Sequence, residues 1–316
     1  MEMSYMKYFI ITVDTEGDNL WHYNKGKEIR TLNAIYIPRF QDLCNKYGFK
    51  PVYLTNYEMI VDDVFVNYIK DIAGSELCEV GIHIHAWNNP PMYQLENAIT
   101  NNPYLIEYPE HIMRKKFSLT YDLISKKIGI PPTSHRAGRW AMNDCYFKIL
   151  KDYNILVDCS YTPHIDWSKN IGAYSGGSDY RYVCEKPSLI NGVLEVPVTV
   201  LPTRELNKMN LIDTLYYLKK FRSLPFKKIW LRPAQTSVND MIRLLDVYSQ
   251  KSEMDYVEFM IHSSELMPGG SPYFPNKDAV ESLFDGMDHV FLYAKKLGYE
   301  GITLKDYYDL KRNCYE

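Results

Sequence analysis

Three carboxylates, Asp14, Glu16 and Asp18, alternate with Thr15 and Gly17 directly after the apolar run 9–13. Acidic residues this dense repel one another and disfavour β structure, so their place after a buried-looking strand needs a reason. Two readings fit: a solvated turn or helix N-cap, or carboxylates gathered for proton or metal chemistry. Asp14 and Glu16 are two apart on an extended segment, so both can point into one pocket. Asp18, past Gly17, reads as a loop cap. The stretch GIHIHAW adds His83 and His85. Residues i and i+2 of a strand face the same side, so two imidazoles there can converge on one metal ion. A pair of satisfied structural histidines is the alternative. A carboxylate from the first strand would complete three donors with positions left for water, the pattern of catalytic zinc. Other apolar runs also finish on polar residues: His135 and Arg136 in SHRAGRW, Asp158 and Ser160 in VDCSYTP, His262 in FMIHSSEL. A lone histidine such as His135 or His289 is ordinarily structural. Five strand ends finishing this way are hard to obtain from core packing alone.

The elements that must position these residues follow from the hydrophobic period. Strand-like runs fall at 8–13, 51–54, 79–84, 133–136, 155–159, 194–198, 228–231, 257–262 and 301–303. Helix-like stretches fill 32–47, 57–73, 110–128, 143–153, 211–221, 238–250, 276–297 and 305–312. Strand and helix alternating at this rhythm mean parallel βα units, and seven or eight such units favour a closed α/β barrel over an open sheet. In such a barrel catalytic residues sit at the C-terminal ends of the strands, where the acidic cluster and the histidines fall. Segments 86–108 and 161–191, rich in Pro, Asn and Gly, read as long loops on that same face. No linker is visible, so residues 1–316 form one domain.

Composition narrows the partners. The chain is 46% hydrophobic and 24% charged, which suits a globular protein with a sizeable core. A net charge of −3 provides no basic field for nucleic acid or an acidic membrane. The 28 tyrosines and 5 tryptophans serve either core packing or clefts that stack on sugars. Six scattered cysteines without a C-x-x-C pair indicate free thiols, neither a zinc ribbon nor a disulfide framework. The N-terminal apolar run is too short for a signal peptide, and no window reaches membrane-span length, so a cytoplasmic protein is expected.

The order VDTEGD, EVGIHIHAW, HRAG, VDCSYTP, LEVPV and FMIHSSEL resembles the polysaccharide deacetylase (NodB-homology) superfamily. Within it the resemblance is to the WbmS-like and WalW-like branch linked to lipopolysaccharide biosynthesis. It extends over about residues 9–303. The resemblance implies a distorted, seven-stranded TIM-like barrel that removes N- or O-acetyl groups from sugars with a divalent metal, zinc first and cobalt or another ion next. It implies that Asp14 is the catalytic base, paired with Arg136, and that His262 is the general acid, supported by Asp158. Glu16 and His83 become metal ligands. The family spaces its histidine ligands i and i+4, but that position here is Trp87, so His85 takes the second place through strand spacing. The metal carboxylate is Glu where Asp is commoner. Trp87, Trp140, Trp167, Tyr161 and Tyr273 follow motif positions and either stack on pyranose faces or pack loops onto the barrel. The substrate implied is an acetylated amino sugar or glycan precursor. Two other functions are compatible with these residues: a metal-dependent C–N hydrolase for a small non-sugar amide, and a degenerate glycan-binding member without turnover. Neither the sugar nor the oligomeric state follows from the sequence.

Overall fold

Strand β1 (Lys7–Thr15) carries the opening apolar run, and from Phe9 onward both its faces are buried. Burial on both faces is what a parallel strand covered by helices requires, and it explains a run without alternation. The computed structural model describes residues 6–22, 28–202 and 228–314. Around β1 the parallel sheet continues in one direction through β2 (Pro51–Thr55), β3 (Glu79–Ile84), β4 (Ser134–Ala137), β5 (Val157–Asp158) and β7 (Val193–Glu195). On its other side lies β10 (Tyr256–His262), so seven consecutive strands are parallel. Strand β6 (Ser188–Ile190) adds an antiparallel edge to β7, and β11 (Tyr299–Gly301) pairs with the start of β1. Strands β8 (Val200–Pro202) and β9 (Lys228–Trp230) form a separate antiparallel ribbon.

The result is a curled, partly open barrel. Among the described residues its seam between β7 and β10 is bridged by single bonds rather than a ladder. Met260 N donates to the Leu231 carbonyl at 3.1 Å, Glu258 N to Thr199 Oγ1 at 2.8 Å, and Tyr256 OH to the Pro197 carbonyl at 2.7 Å.

Helices occupy the expected intervals, with local chemistry setting their ends. The predicted helix 32–47 begins as a 3₁₀ turn and becomes α1 (Ile37–Lys46), with Pro38 tolerated in the first turn. The predicted 57–73 divides into α2 (Tyr57–Val61) and α3 (Asp63–Gly74), because the Asp62 carboxylate caps Phe65 N at 2.9 Å and starts a new helix. Helix α4 (Glu110–Ile128) ends at Gly129, whose φ of 88° is the left-handed C-cap. Helices α5 (Asp144–Asp152), α6 (Val238–Gln250), α7 (Lys277–Lys296) and α8 (Leu304–Lys311) begin on Asn143, Ser237, Asn276 and Thr303 caps. The predicted helix 211–221 lies outside the described residues. The β6–β7 hairpin was not anticipated. Its turn residues Asn191 and Gly192 have φ of 50° and 86°, the left-handed pair that a two-residue hairpin prefers.

Candidate active site

The strand register brings the polar strand ends to one rim. Asp14 lies beside His262 of β10, and His83 of β3 lies beside Arg136 of β4. Asp14, Glu16, His83, His85 and His262 all line one cleft of about 350 Å³, together with Trp21, Trp87, Arg139, Trp140, Trp167 and Arg232.

Glu16, His83 and His85 form a buried trio whose donor atoms all lie within 4.8 Å of one another. Glu16 Oε2 is 2.6 Å from His85 Nε2 and 3.7 Å from His83 Nε2, and the two Nε2 atoms are 3.2 Å apart. His83 Nδ1 stands 2.9 Å from the Arg136 carbonyl, which can only accept, so Nδ1 carries the proton and Nε2 turns its lone pair to the trio. Two imidazole nitrogens and a carboxylate make a donor set suited to a divalent ion of zinc type. The His85 Nδ1 is buried without a partner among the described residues. Gly138 gives that ring its room: a Cβ there would sit 2.3 Å from the Ile84 carbonyl oxygen and 3.0 Å from His85 Nδ1. Burial pushes the Glu16 carboxyl up, but the two histidines outweigh it and hold the acid well below its ordinary range. Its backbone is fixed as well, with Asn33 Nδ2 donating to the Glu16 carbonyl at 2.8 Å and Glu16 N donating to Ser263 Oγ at 3.1 Å.

Asp14 is held differently. Its Oδ1 accepts from Arg136 Nη1 at 2.6 Å. Burial raises the Asp14 pKa, while Arg136, then His83 and His262, bring it below the usual value. Arg136 is fully buried, and its Nη2 donates to Thr12 Oγ1 at 2.8 Å and to Glu258. Its Nε donates to the Cys159 carbonyl at 3.1 Å. The guanidinium also lies 5.1 Å from the Trp140 ring centre. Arg139 and Trp140, directly after β4, both take left-handed φ of 56° and 65°. Consecutive non-glycine residues in that region mark a backbone that the surrounding contacts must hold in place.

His262 faces both carboxylates, with Nε2 at 3.7 Å from Asp14 Oδ2 and 3.9 Å from Glu16 Oε1. Behind it, Arg232 Nη2 lies 3.0 Å from Nδ1 and 3.0 Å from Glu265 Oε1. Arginine has no acceptor, so in the ring's neutral form Nδ1 accepts and the proton sits on Nε2, toward the cleft. Glu265 Oε1 is 3.7 Å from Nδ1, the nearest anion for an Nδ1 proton when the ring is charged. Trp21 packs its ring 5.0 Å from that of His262 and anchors Nε1 on Ser264 Oγ at 3.0 Å.

Some expected residues are not brought together. Asp158, expected to support His262, instead accepts from His135 Nδ1 at 2.6 Å and Ser160 Oγ at 2.8 Å, fully buried under β4 and β5. His135 Nε2 meets Tyr146 OH at 2.6 Å, which makes this a closed structural network. The Tyr161 ring is turned away from the cleft onto Tyr180, 4.6 Å between centroids, and Phe147. Tyr273 stands behind Trp21 at 5.5 Å and does not line the cleft. Asp18 is the loop cap expected, accepting from Leu32 N at 2.8 Å.

Glu258, Arg232, Glu265 and Glu58 were not singled out by sequence reasoning. Glu258 carried a usable signal, an acid inside the apolar strand VEFMIH. Glu58 accepts from Gly17 N at 2.7 Å and from Asn88 Nδ2 at 3.1 Å, which ties the Glu16 loop to the His85 loop. Nothing local in the sequence announces that contact.

No protein-family model and no curated protein matches the sequence. Solved structures do match in fold. A candidate glycoside hydrolase/deacetylase from Parabacteroides distasonis aligns with a TM-score of 0.62 at 12% identity, over 100% of this chain and 74% of that one. A candidate polysaccharide deacetylase from Mycobacterium smegmatis gives 0.54 at 12% identity, over 98% and 91%. The 4-α-glucanotransferase from Thermococcus litoralis gives 0.51 at 11% identity, over 96% of this chain and 38% of that chain. The architecture is thus the distorted NodB-type barrel expected from the sequence. A glucanotransferase on a similar scaffold means that the reaction has to be argued from the site.

Proposed function

We propose that the protein is a metal-dependent deacetylase acting on an acetylated amino sugar or glycan precursor. The observation that carries this reading is one cleft holding the trio Glu16, His83 and His85 beside the Asp14–Arg136 pair, with His262 facing both. Zinc suits the nitrogen-rich donor set, and cobalt shares its preferences. Bound there, the ion supplies Lewis acidity toward a water and an acyl oxygen. Asp14, kept ionised and oriented by Arg136, takes the proton from the attacking water. His262 acts as general acid in its imidazolium form, giving the Nε2 proton to the departing nitrogen or oxygen and returning to the neutral ring, with Glu265 Oε1 3.7 Å from the Nδ1 that stays protonated. Trp87, Trp140 and Trp167 offer aromatic faces to the sugar, and Trp21 joins them.

The motif order further supports a place beside the WbmS-like and WalW-like proteins, hence in lipopolysaccharide or other surface-glycan biosynthesis, with a precursor made in the cytoplasm. No helix among the described residues is long and apolar enough to cross a membrane.

The test is metal analysis combined with acetate release from N-acetylated and O-acetylated sugars. The purified protein should hold about one divalent ion, lose hydrolysis on exhaustive chelation, and regain it with zinc or cobalt. Full activity after chelation would falsify the metal-hydrolase reading. Bound metal with turnover only of small non-sugar amides would move the assignment to that class. Glycan binding without any turnover would leave a non-catalytic member.

A further inference from the structure

Beside the catalytic cleft, loop 86–108 forms a second, half-open cavity of about 290 Å³. Trp87 lines both spaces, and the consecutive Asn101 and Asn102 divide between them, Asn101 on the cavity and Asn102 on the cleft. Among the described residues, none that lines this cavity carries a charge. Its wall combines the rings of Trp87, Tyr93 and Tyr108 with the amides of Gln94, Asn97 and Asn101. Planar rings meet the apolar C–H face of a pyranose, and side-chain amides both donate to and accept from hydroxyls. A charged ligand would find no counter-ion among these residues. The volume lies at the low end for small-molecule sites, which suits one ring. Tyr93 remains 43% exposed even though its ring also touches that of Tyr108, 6.1 Å between centroids.

The loop is built to hold this shape. Lys116 Nζ donates to the carbonyls of Asn89 at 2.5 Å and Pro91 at 2.8 Å. Ile99 N donates to the Ala173 carbonyl at 2.7 Å, Thr100 Oγ1 to the Gly172 carbonyl at 2.8 Å, and Tyr174 OH to the Glu96 carbonyl at 2.8 Å. At its far end the Glu107 carboxylate accepts from the backbone N–H groups of Tyr104, Ala173 and Tyr174, each at 2.7 Å. A cavity fixed at so many points pays little ordering cost when a ligand enters.

We propose that this cavity is a second carbohydrate subsite, which takes a neutral sugar ring of the same glycan chain whose acetylated unit occupies the cleft. The substrate is then an oligosaccharide or longer glycan rather than a free monosaccharide. The inference rests on the glycan reading above, and its test separates the two.

The probes are N-acetylglucosamine and its β-1,4-linked tetramer, with binding measured by calorimetry and acetate release measured alongside. The tetramer should bind at least tenfold more tightly than the monomer. That gain should vanish in Tyr93→Ala and shrink in Gln94→Ala, while Tyr93→Phe, which keeps the ring, should retain it. Equal binding of monomer and tetramer, or a gain that survives both alanine variants, overturns the subsite. So does tighter binding of octyl N-acetylglucosaminide than of the tetramer, which would assign the cavity to an apolar aglycone. Chain-length-dependent binding without acetate release sinks the deacetylase reading and leaves the subsite standing. Acetate release indifferent to chain length does the reverse.

Discussion

Two carboxylates two residues apart have separate surroundings, and so they should fail separately. Asp14 is bonded to Arg136 at 2.6 Å and is not one of the clustered donors, whereas Glu16 Oε2 sits 2.6 Å from His85 Nε2. Asp14→Asn is nearly isosteric, and Arg136 retains Glu258 as an anionic partner. It should leave metal content almost unchanged while turnover falls by roughly 10²–10⁴-fold, the effect of a lost general base. Glu16→Gln should lose metal first, with activity partly recovered by excess ion. Metal content measured in the two purified variants decides the assignment; an empty site in Asp14→Asn would make Asp14 the ligand instead. This pairing was legible because side chains on a strand alternate, which places Asp14 and Glu16, and likewise His83 and His85, on shared faces. The support of His262 was only partly legible. The carboxylate beside its Nδ1 is Glu265, three residues on within the same FMIHSSEL string and so open to sequence reasoning, not Asp158. The contact from Arg232 comes from another element, and such contacts depend on register, which a local string does not encode.

At the scale of elements, the periodic segments were recovered almost to the residue, as with α4 and α6, because capping residues and a left-handed glycine stop them chemically. The strand β6 escaped because it is mostly exposed and carries no buried apolar pattern, although the Asn191–Gly192 turn was a usable sign of the hairpin. Long loops are held by single carboxylates whose reach is invisible in sequence. Glu185, in the loop before β6, accepts from His164 Nε2 at 2.9 Å, Lys251 Nζ at 2.9 Å and Tyr248 OH at 3.0 Å, which fastens the loop to the end of α6. Burial raises its pKa, but these partners prevail and bring it to about 2. A carboxyl whose folded pKa lies below its unfolded value stabilises the fold at neutral pH and loses that contribution as pH falls through the folded value. Discounted for the solvent that reaches it, the contribution is about 1–2 kcal/mol. Glu185→Gln should therefore melt about 2–3 °C lower at pH 7. The gap should narrow below pH 4.5 and be nearly gone at pH 2. A gap that stays constant over that range would mean the loop is held by packing and not by this charge.

For the whole molecule, the open seam of the barrel decides how the two halves of the chemistry are joined. The proposed metal donors sit at the C-terminal ends of β1 and β3, strands inside the continuous ladder, but His262 and Glu258 ride on β10, whose outer edge faces the seam. Among the described residues that edge is secured by few bonds, and in one of them the acceptor is a side chain: Thr199 Oγ1 accepts from the buried Glu258 N–H at 2.8 Å. Thr199→Val keeps the shape and removes the acceptor, leaving a buried donor unpaired at a cost of about 1–3 kcal/mol. The ladder between β10 and β1 remains, so the chain should still fold, with a melting temperature lower by a few degrees. The donor trio should be untouched, and metal content should match the parent protein. His262 and the Glu258 partner of Arg136 would be less firmly placed, and small misplacements of reacting groups are expensive, so turnover should drop by about tenfold. Calorimetry, metal analysis and single-turnover rates on the same preparation separate these effects. Loss of metal in step with the melting temperature would show that the seam supports the entire site. An unchanged rate at a lowered melting temperature would confine its role to stability.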